Sequence, residues 1–189
     1  MTVRRVLQIG NPQLRRVADE VAVDDIGGEA VQTLIGDLVE TMRDANGAGL
    51  AATQIGERHR IVVMEVNSNP RYPYKPTLPL TVAVNPEIEP LDDEMVEVNE
   101  GCLSVPMRGN VSRHVNIRVR YLDQHGTRHD EVKRGLTAGT WQHEVDHLDG
   151  VLITDRADPL SLATWDEYEQ HHREAFVQRI TKFVERVGS

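Results

Sequence analysis

Cysteine and aromatic side chains are what this chain has least of. In 189 residues there is one Cys, two Trp, two Phe and four Tyr. A lone thiol excludes an internal disulfide and fits a reducing cytosol, so the expected location is cytoplasmic. It also leaves Cys102 available for a metal or for chemistry. With aromatics at 4%, the core has to be built mainly from aliphatic residues. No run of about 18 apolar residues occurs, so no segment is expected to span a membrane. The start, Met1-Thr2-Val3-Arg4-Arg5-Val6-Leu7, has no long apolar core and does not read as a secretory signal. Positive charge is short as well: 21 Lys and Arg stand against 30 Asp and Glu, a net charge of -9. That argues against an extended nucleic-acid surface, which needs clustered basic residues.

What remains is an ordinary globular composition, 39% hydrophobic and 27% charged. The length suits one domain over 1–189 with a real core, and a helical tail over about 159–187. In the first arm, Leu14, Val17, Val21 and Val23 are candidate anchors, and Asn11-Pro12 can open a short helix. Val31, Leu34, Ile35, Leu38, Val39 and Met42 recur at three- and four-residue steps and predict a helix over 29–45, ended by the glycines of Asn46-Gly47-Ala48-Gly49. Strands are expected at 60–66, 81–86 and 95–100, with a Pro-rich loop over 67–80. Alternation over 114–121, the turn 123–126 and a second strand at 127–134 predict a hairpin whose His114, His125 and His129 lie at the surface. A helix from Leu136 to about Asp149 ends at Gly150, and Val151-Leu152-Ile153 reads as a short strand. Asp158 is placed to cap a last helical region, whose stripe is Phe176, Ile180, Phe183, Val184 and Val187.

The chemistry concentrates in Trp141-Gln142-His143-Glu144-Val145-Asp146-His147. Two histidines four apart share one helix face, so both imidazoles can reach one divalent ion. A glutamate directly after the first can act as general base toward water activated by that ion. The motif alone occurs by chance, and its weight depends on a third ligand. Cys102 is the leading candidate, because it lies in a Gly-Cys-Leu turn between polar strands, a poor place for a core residue. One thiolate and two imidazoles suit zinc, ferrous iron, cobalt or nickel, with a position left open for reaction. A third histidine after His-Glu-x-x-His-x-x-Gly-x-x is ruled out, since that position is Ile153. A glutamate from a later helix, Glu167 or Glu169, stays open, and with it a metalloprotease. A closed structural site in a binding module is disfavoured, because it would need neither Glu144 nor Gln54.

A second stretch, Gly47-Ala48-Gly49-Leu50-Ala51-Ala52-Thr53-Gln54, lacks the third glycine of a nucleotide loop and follows a helix instead of a strand. Its small residues permit close approach of a peptide backbone. Gln54 is its one side chain with two amide hydrogens to donate.

Three motifs stand complete and in order: Gly-x-Gly-Leu-Ala-Ala-x-Gln at 47–54, Glu-Gly-Cys-Leu-Ser at 100–104 and Gln-His-Glu-x-Asp-His-Leu-x-Gly at 142–150. Together they resemble the peptide deformylases, hydrolases that remove the formyl group from N-formylmethionine of new bacterial proteins. The resemblance implies an α+β fold, with antiparallel sheets around a central helix that carries the His-Glu-x-x-His motif, plus a C-terminal helix. It implies Cys102, His143 and His147 as ligands of Fe2+, replaceable by Zn2+, Ni2+ or Co2+, and Glu144 as acid and base. It further implies Gln54 and the Leu103 amide as oxyanion donors, a formylmethionyl peptide as partner, transient ribosome association, and a monomer or homodimer.

Leu136 and Thr140 precede His143 on the same helix face and are candidates for a methionine pocket, with Ala48 and Val98 as other walls. Gly47 and Gly49 can pair with substrate backbone as an added strand. Glu100 and Arg108 are placed on the substrate side. Asp146, inside the motif helix, is expected to be paired, with Arg113 as first partner.

Overall fold

The computed structural model describes residues 2–67 and 73–188. Residues 68–72 of the expected Pro-rich loop lie outside the described residues. The first half holds helix α1 (Glu29–Asp44) and strands β1 (Gly49–Ala51), β2 (Ile61–Val66), β3 (Leu78–Pro90) and β4 (Met95–Cys102). The second holds β5 (Val105–His114), β6 (Asn116–Leu122), β7 (Arg128–Arg134), α2 (Gly135–Leu148), α3 (Ile153–Arg156), β8 (Ala163–Thr164), α4 (Trp165–His171) and α5 (Arg173–Val187).

The strands form two antiparallel sheets. One runs β1-β2-β3-β6-β7, the other β4-β5-β8. Strand side chains alternate between faces, and β2 shows both faces in use. Ile61 and Val63 pack with Leu34, Leu38 and Met42 of α1. Val62 and Met64 point the other way, onto Trp141 and Leu148 of α2. The five-stranded sheet is therefore sandwiched between two helices, which is why β2 reads as a continuous apolar run. At the other end of α2, Leu136 joins Val98 and Val115 in a cluster with the three-stranded sheet, which Phe176 and Ile180 of α5 also enter. The expected α+β architecture with a central motif helix and a C-terminal helix holds. Among the described residues, no helix is long and apolar enough to cross a membrane.

Several local expectations change. The α1 stop is made by Asn46, not by the glycines: Asn46 takes φ 52, its N–H reaches Arg43 O, and Gly47 N–H reaches Met42 O at 2.9 Å. This is the paired hydrogen-bond closure of a left-handed helix end, which asparagine tolerates. Of the four arm anchors, Leu14 and Val21 are buried, but Val17 and Val23 are exposed; Ala18 fills the intended place. The strand expected at 151–153 is absent. Ile153 instead starts α3, because the Asp155 carboxylate accepts from Leu152 N–H at 2.8 Å and caps a helical turn. Asp158 caps a short turn, Pro159–Ser161, by accepting from Leu160 N–H, and the tail beyond is broken into α4 and α5. His129 is not a plain surface residue: its ring stacks on Tyr121 at 4.8 Å.

Candidate metal centre and its pocket

Cys102 ends β4 at the point where its ladder with β5 shifts register, so the thiol turns out of the sheet. There it meets α2. His147 Nε2 lies 3.3 Å from Cys102 Sγ and 3.3 Å from His143 Nε2. The three ligand atoms all lie within 4.8 Å of one another, and among the described residues they are the one such group. Atoms bound to a single tetrahedral ion at usual bond lengths stand about 3.4–3.6 Å apart. The donor set therefore fits a zinc- or iron-type cation as it stands. Burial pushes the Cys102 thiol up, yet the neighbouring imidazoles, His147 foremost, overcome this and hold it at about 5. The group is thus ready as a thiolate. The rival third ligands fail: Glu167 and Glu169 are exposed and pair along the tail with His171 and Arg173.

Behind the ligands runs a chain of ion pairs that is buried at Glu100 and Arg113 and reaches the surface at Arg156. His143 Nδ1–H donates to Glu100 Oε2 at 2.9 Å, which leaves Nε2 aimed at the centre. Arg113 donates to both Glu100 oxygens at 2.8 and 2.9 Å and to Asp146 Oδ2 at 2.6 Å. Arg156 then grips both Asp146 oxygens at 2.7 and 2.6 Å. The expected Asp146–Arg113 pair is present. Burial would raise Glu100, but Arg113 and His143 win and hold its carboxyl well below the usual range. Glu100 lines the cavity in front of the ligands, as expected of a substrate-side residue, and its two oxygens, engaged by Arg113 and His143, also orient the His143 ring. Arg156 left no mark in the sequence; α3 delivers it.

In front of the ligands opens a cavity lined on one face by Cys102, His143 and Glu144. Gln54 is fixed in it at one end, with Oε1 accepting from Ala51 N–H at 2.9 Å. That turns the amide nitrogen toward Cys102 Sγ (3.6 Å) and Ser104 Oγ (3.1 Å). Ser104, missed in the sequence although it closes the Glu-Gly-Cys-Leu-Ser motif, also donates its N–H to Cys102 Sγ at 3.4 Å. Glu144 is buried in the same cavity, and burial raises its pKa. Among the described residues its Oε2 has no hydrogen-bond partner. Two walls come from expected residues: Gly47, Ala48 and Gly49 on one side, Val98, Leu136 and Thr140 on the other. Leu103 and Arg108 line it as well.

Three further contributors were not legible in the sequence. Lys75, from the Pro-rich segment, donates to Thr140 Oγ1 at 3.0 Å, and its pKa is lowered by burial. Tyr74 and Trp165 add aromatic surface to the lining. The N-terminal arm, read as structural only, pins both loops: Leu7 N–H bonds to Gln54 O and Ile9 N–H to Ser104 O, each at 2.8 Å, and Gln8 Nε2 donates to Leu103 O at 3.0 Å.

Known proteins resemble this chain in sequence and in fold. A peptide deformylase of Leptospira biflexa serovar Patoc is 44% identical over 169 residues, 88% of this chain and 94% of that protein. The crystal structure of a class I type b peptide deformylase from Acinetobacter baumannii, bound to Met-Ala-Ser, superposes with a TM-score of 0.79 at 37% identity, covering 82% of this chain and 98% of that one. The peptide deformylase of Thermotoga maritima matches with a TM-score of 0.74 at 35% identity, covering 84% and 100%. The polypeptide deformylase family model matches residues 3–163, a span that holds the Cys-His-His cluster, Gln54 and Glu144, and the chain belongs to that family.

Proposed function

We propose that this chain hydrolyses the N-formyl group of formylmethionyl peptides, releasing formate and a free methionine amine, with Glu144 as proton carrier and Gln54 as oxyanion donor. The observation behind this assignment is the position of Glu144: buried, with one oxygen unpartnered among the described residues, in the same cavity as Cys102 and Gln54.

Cys102, His143 and His147 would hold a divalent cation, which supplies Lewis acidity that lowers the pKa of water and polarises a carbonyl oxygen. Glu144 takes the proton of the attacking water and delivers it to the departing amine nitrogen. A carboxyl whose pKa is raised by burial is better matched to both halves of that task. Gln54 Nε2, aimed by the Ala51 bond, donates to the oxygen that gains charge, and the Leu103 N–H serves as the second donor. Each such donor is typically worth about 2.7–4 kcal/mol in the transition state. The methionine side chain enters the slot of Val98, Leu136 and Thr140, and the peptide backbone runs along Gly47 and Gly49 as an added strand. Fe2+ as resident ion, with Zn2+, Ni2+ or Co2+ as substitutes, a cytoplasmic location, passing contact with ribosomes and a monomer or homodimer complete this reading.

The test is formate release from a formyl-Met peptide under anaerobic conditions, with and without added Fe2+. Activity that rises with the ion, and that Glu144→Ala removes while the ion is retained, supports the assignment. A Glu144→Ala protein with normal turnover defeats it. Cys102→Ala is expected to lose the ion altogether.

A further inference from the structure

The family match ends at residue 163, yet Trp165, just beyond it, reaches back into the cavity that holds Cys102 and Glu144. The indole is half-buried and lies against the backbone of Gly101, one residue before the metal-ligand position: a β-carbon on Gly101 would stand 2.6 Å from Trp165 Cζ2. Arg108 braces it. The guanidinium carbon is 4.6 Å from the Trp165 ring centre and 4.3 Å from that of Tyr168. Arg108 is itself locked by bonds to Asn99 Oδ1 and O at 2.8 and 2.7 Å. Trp165 is therefore a large, pre-positioned aromatic surface on the cavity wall. It shares the cavity lining with Val98, Leu136 and Thr140 and lies beside the strand end that carries Cys102.

We propose that Trp165 forms a subsite for the substrate residues that follow the formylated one, and that it selects apolar and aromatic side groups there. The assignment rests on the deformylase reading above. With the methionine side chain in its slot and the reacting amide between Cys102 and Glu144, the peptide that lies along Gly47 and Gly49 continues through the cavity whose lining includes the indole. An immobilised ring loses little freedom on binding and gains area and ring–ring contact against an aromatic partner, which corresponds to a roughly two- to tenfold preference.

The experiment compares kcat/KM for formyl-Met-Phe-Ser and formyl-Met-Ala-Ser in the metal-loaded wild type, Trp165→Ala and Trp165→Phe; Trp165→Leu replaces the alanine variant should that fail to fold. The expected result is a wild-type preference for the phenylalanine peptide that falls about two- to tenfold in Trp165→Ala, chiefly through KM, and is largely kept in Trp165→Phe. Because the only other tryptophan, Trp141, is fully buried, binding of Met-Phe-Ser is expected to change the intrinsic fluorescence of the wild type and leave that of Trp165→Phe unchanged. A preference ratio that survives Trp165→Ala, or equal losses on both peptides, overturns the proposal. If the loaded wild type turns over neither peptide, the deformylase reading itself falls, and the fluorescence titration still decides whether peptide reaches Trp165.

Discussion

Gly49 leaves the space that the Glu144 carboxylate occupies: a β-carbon built on residue 49 would overlap that side chain. The two residues lie almost a hundred positions apart, and β1 is brought beside α2 by its pairing with β2, where Gly49 faces Met64. Glycine is needed here for closeness of approach, not for an unusual backbone angle.

Gly49→Ala therefore forces Glu144 to move. Displacing a proton-transfer group by about 1 Å can cost on the order of 10²-fold in rate. The expected outcome is a fall of that size in kcat/KM for a formyl-Met peptide, with metal content by atomic absorption unchanged, because the three atoms nearest the added carbon all belong to Glu144. Wild-type activity in Gly49→Ala would show that the Glu144 position is not demanding.

A second expectation concerns the network from His143 through Glu100, Arg113 and Asp146 to Arg156. Arg113 is 3% exposed, and Arg113→Leu leaves the Glu100 and Asp146 carboxylates facing each other with their shared counter-charge gone. Breaking a buried pair by removing one partner typically costs about 3–5 kcal/mol. Loss of support behind a metal-ligating histidine typically weakens metal binding about 10–100-fold. Urea unfolding of the loaded protein and competition with a chelator measure the two effects separately. A variant with unchanged stability and ion affinity would mean that the network is passive.

The parts of this site that were readable in the sequence are the ones that local spacing determines. His143, Glu144 and His147 follow from helix periodicity, and Trp141 and Leu148 bury where the same periodicity puts them. Cys102 was singled out as a lone thiol in an expected polar turn, yet it ends β4 and is buried beside Leu14, Val105, Leu152 and Ile153, so the reason given for it did not hold although the residue does meet the two histidines. Arg156 was not singled out, because its partner Asp146 is reached only through the turn of α3, which begins at Ile153, where the sequence suggested the end of a strand over 151–153. Lys75 and Trp165 were missed for a related reason: both come from segments whose course over the body depends on long-range packing, Tyr74 on Phe176 at 5.2 Å and Arg108 on Trp165. Glu100 was placed on the correct wall, but its bond to His143 was not foreseen, since a motif gives position and not the direction of a carboxylate.

The β6–β7 turn should report acid. Burial raises the Asp123 carboxyl, but hydrogen bonds from His129, Thr127 N–H and His125 N–H outweigh this and hold it at about 2, against an ordinary 3.8. A folded pKa below the unfolded one means that the unfolded protein binds more protons in between, so the contribution is full above the unfolded value and fades as pH falls through the folded one. The stability advantage of wild type over Asp123→Asn is thus expected to be present at pH 6 and to shrink steadily as pH falls below 4. Urea midpoints across that range test it, and an advantage independent of pH would contradict the assignment.

The tail is expected to unfold with the body, as one domain. Ile180 of α5 is fully buried, in one cluster with Val98 and Val115 of the three-stranded sheet and Leu136 of α2. That cluster also forms the slot assigned to methionine, so the packing of α5 and the shape of the pocket share residues. Truncating such a side chain to alanine typically costs about 2–5 kcal/mol, the larger values where the surroundings cannot collapse. Ile180→Ala should lower the midpoint of a single calorimetric transition by several degrees and raise KM for formyl-Met peptides, since Val98 and Leu136 lose their backing. Two separated transitions in the wild type, or an Ile180→Ala effect confined to the lower of them, would show instead that α5 is an independent appendage and that the pocket stands without it.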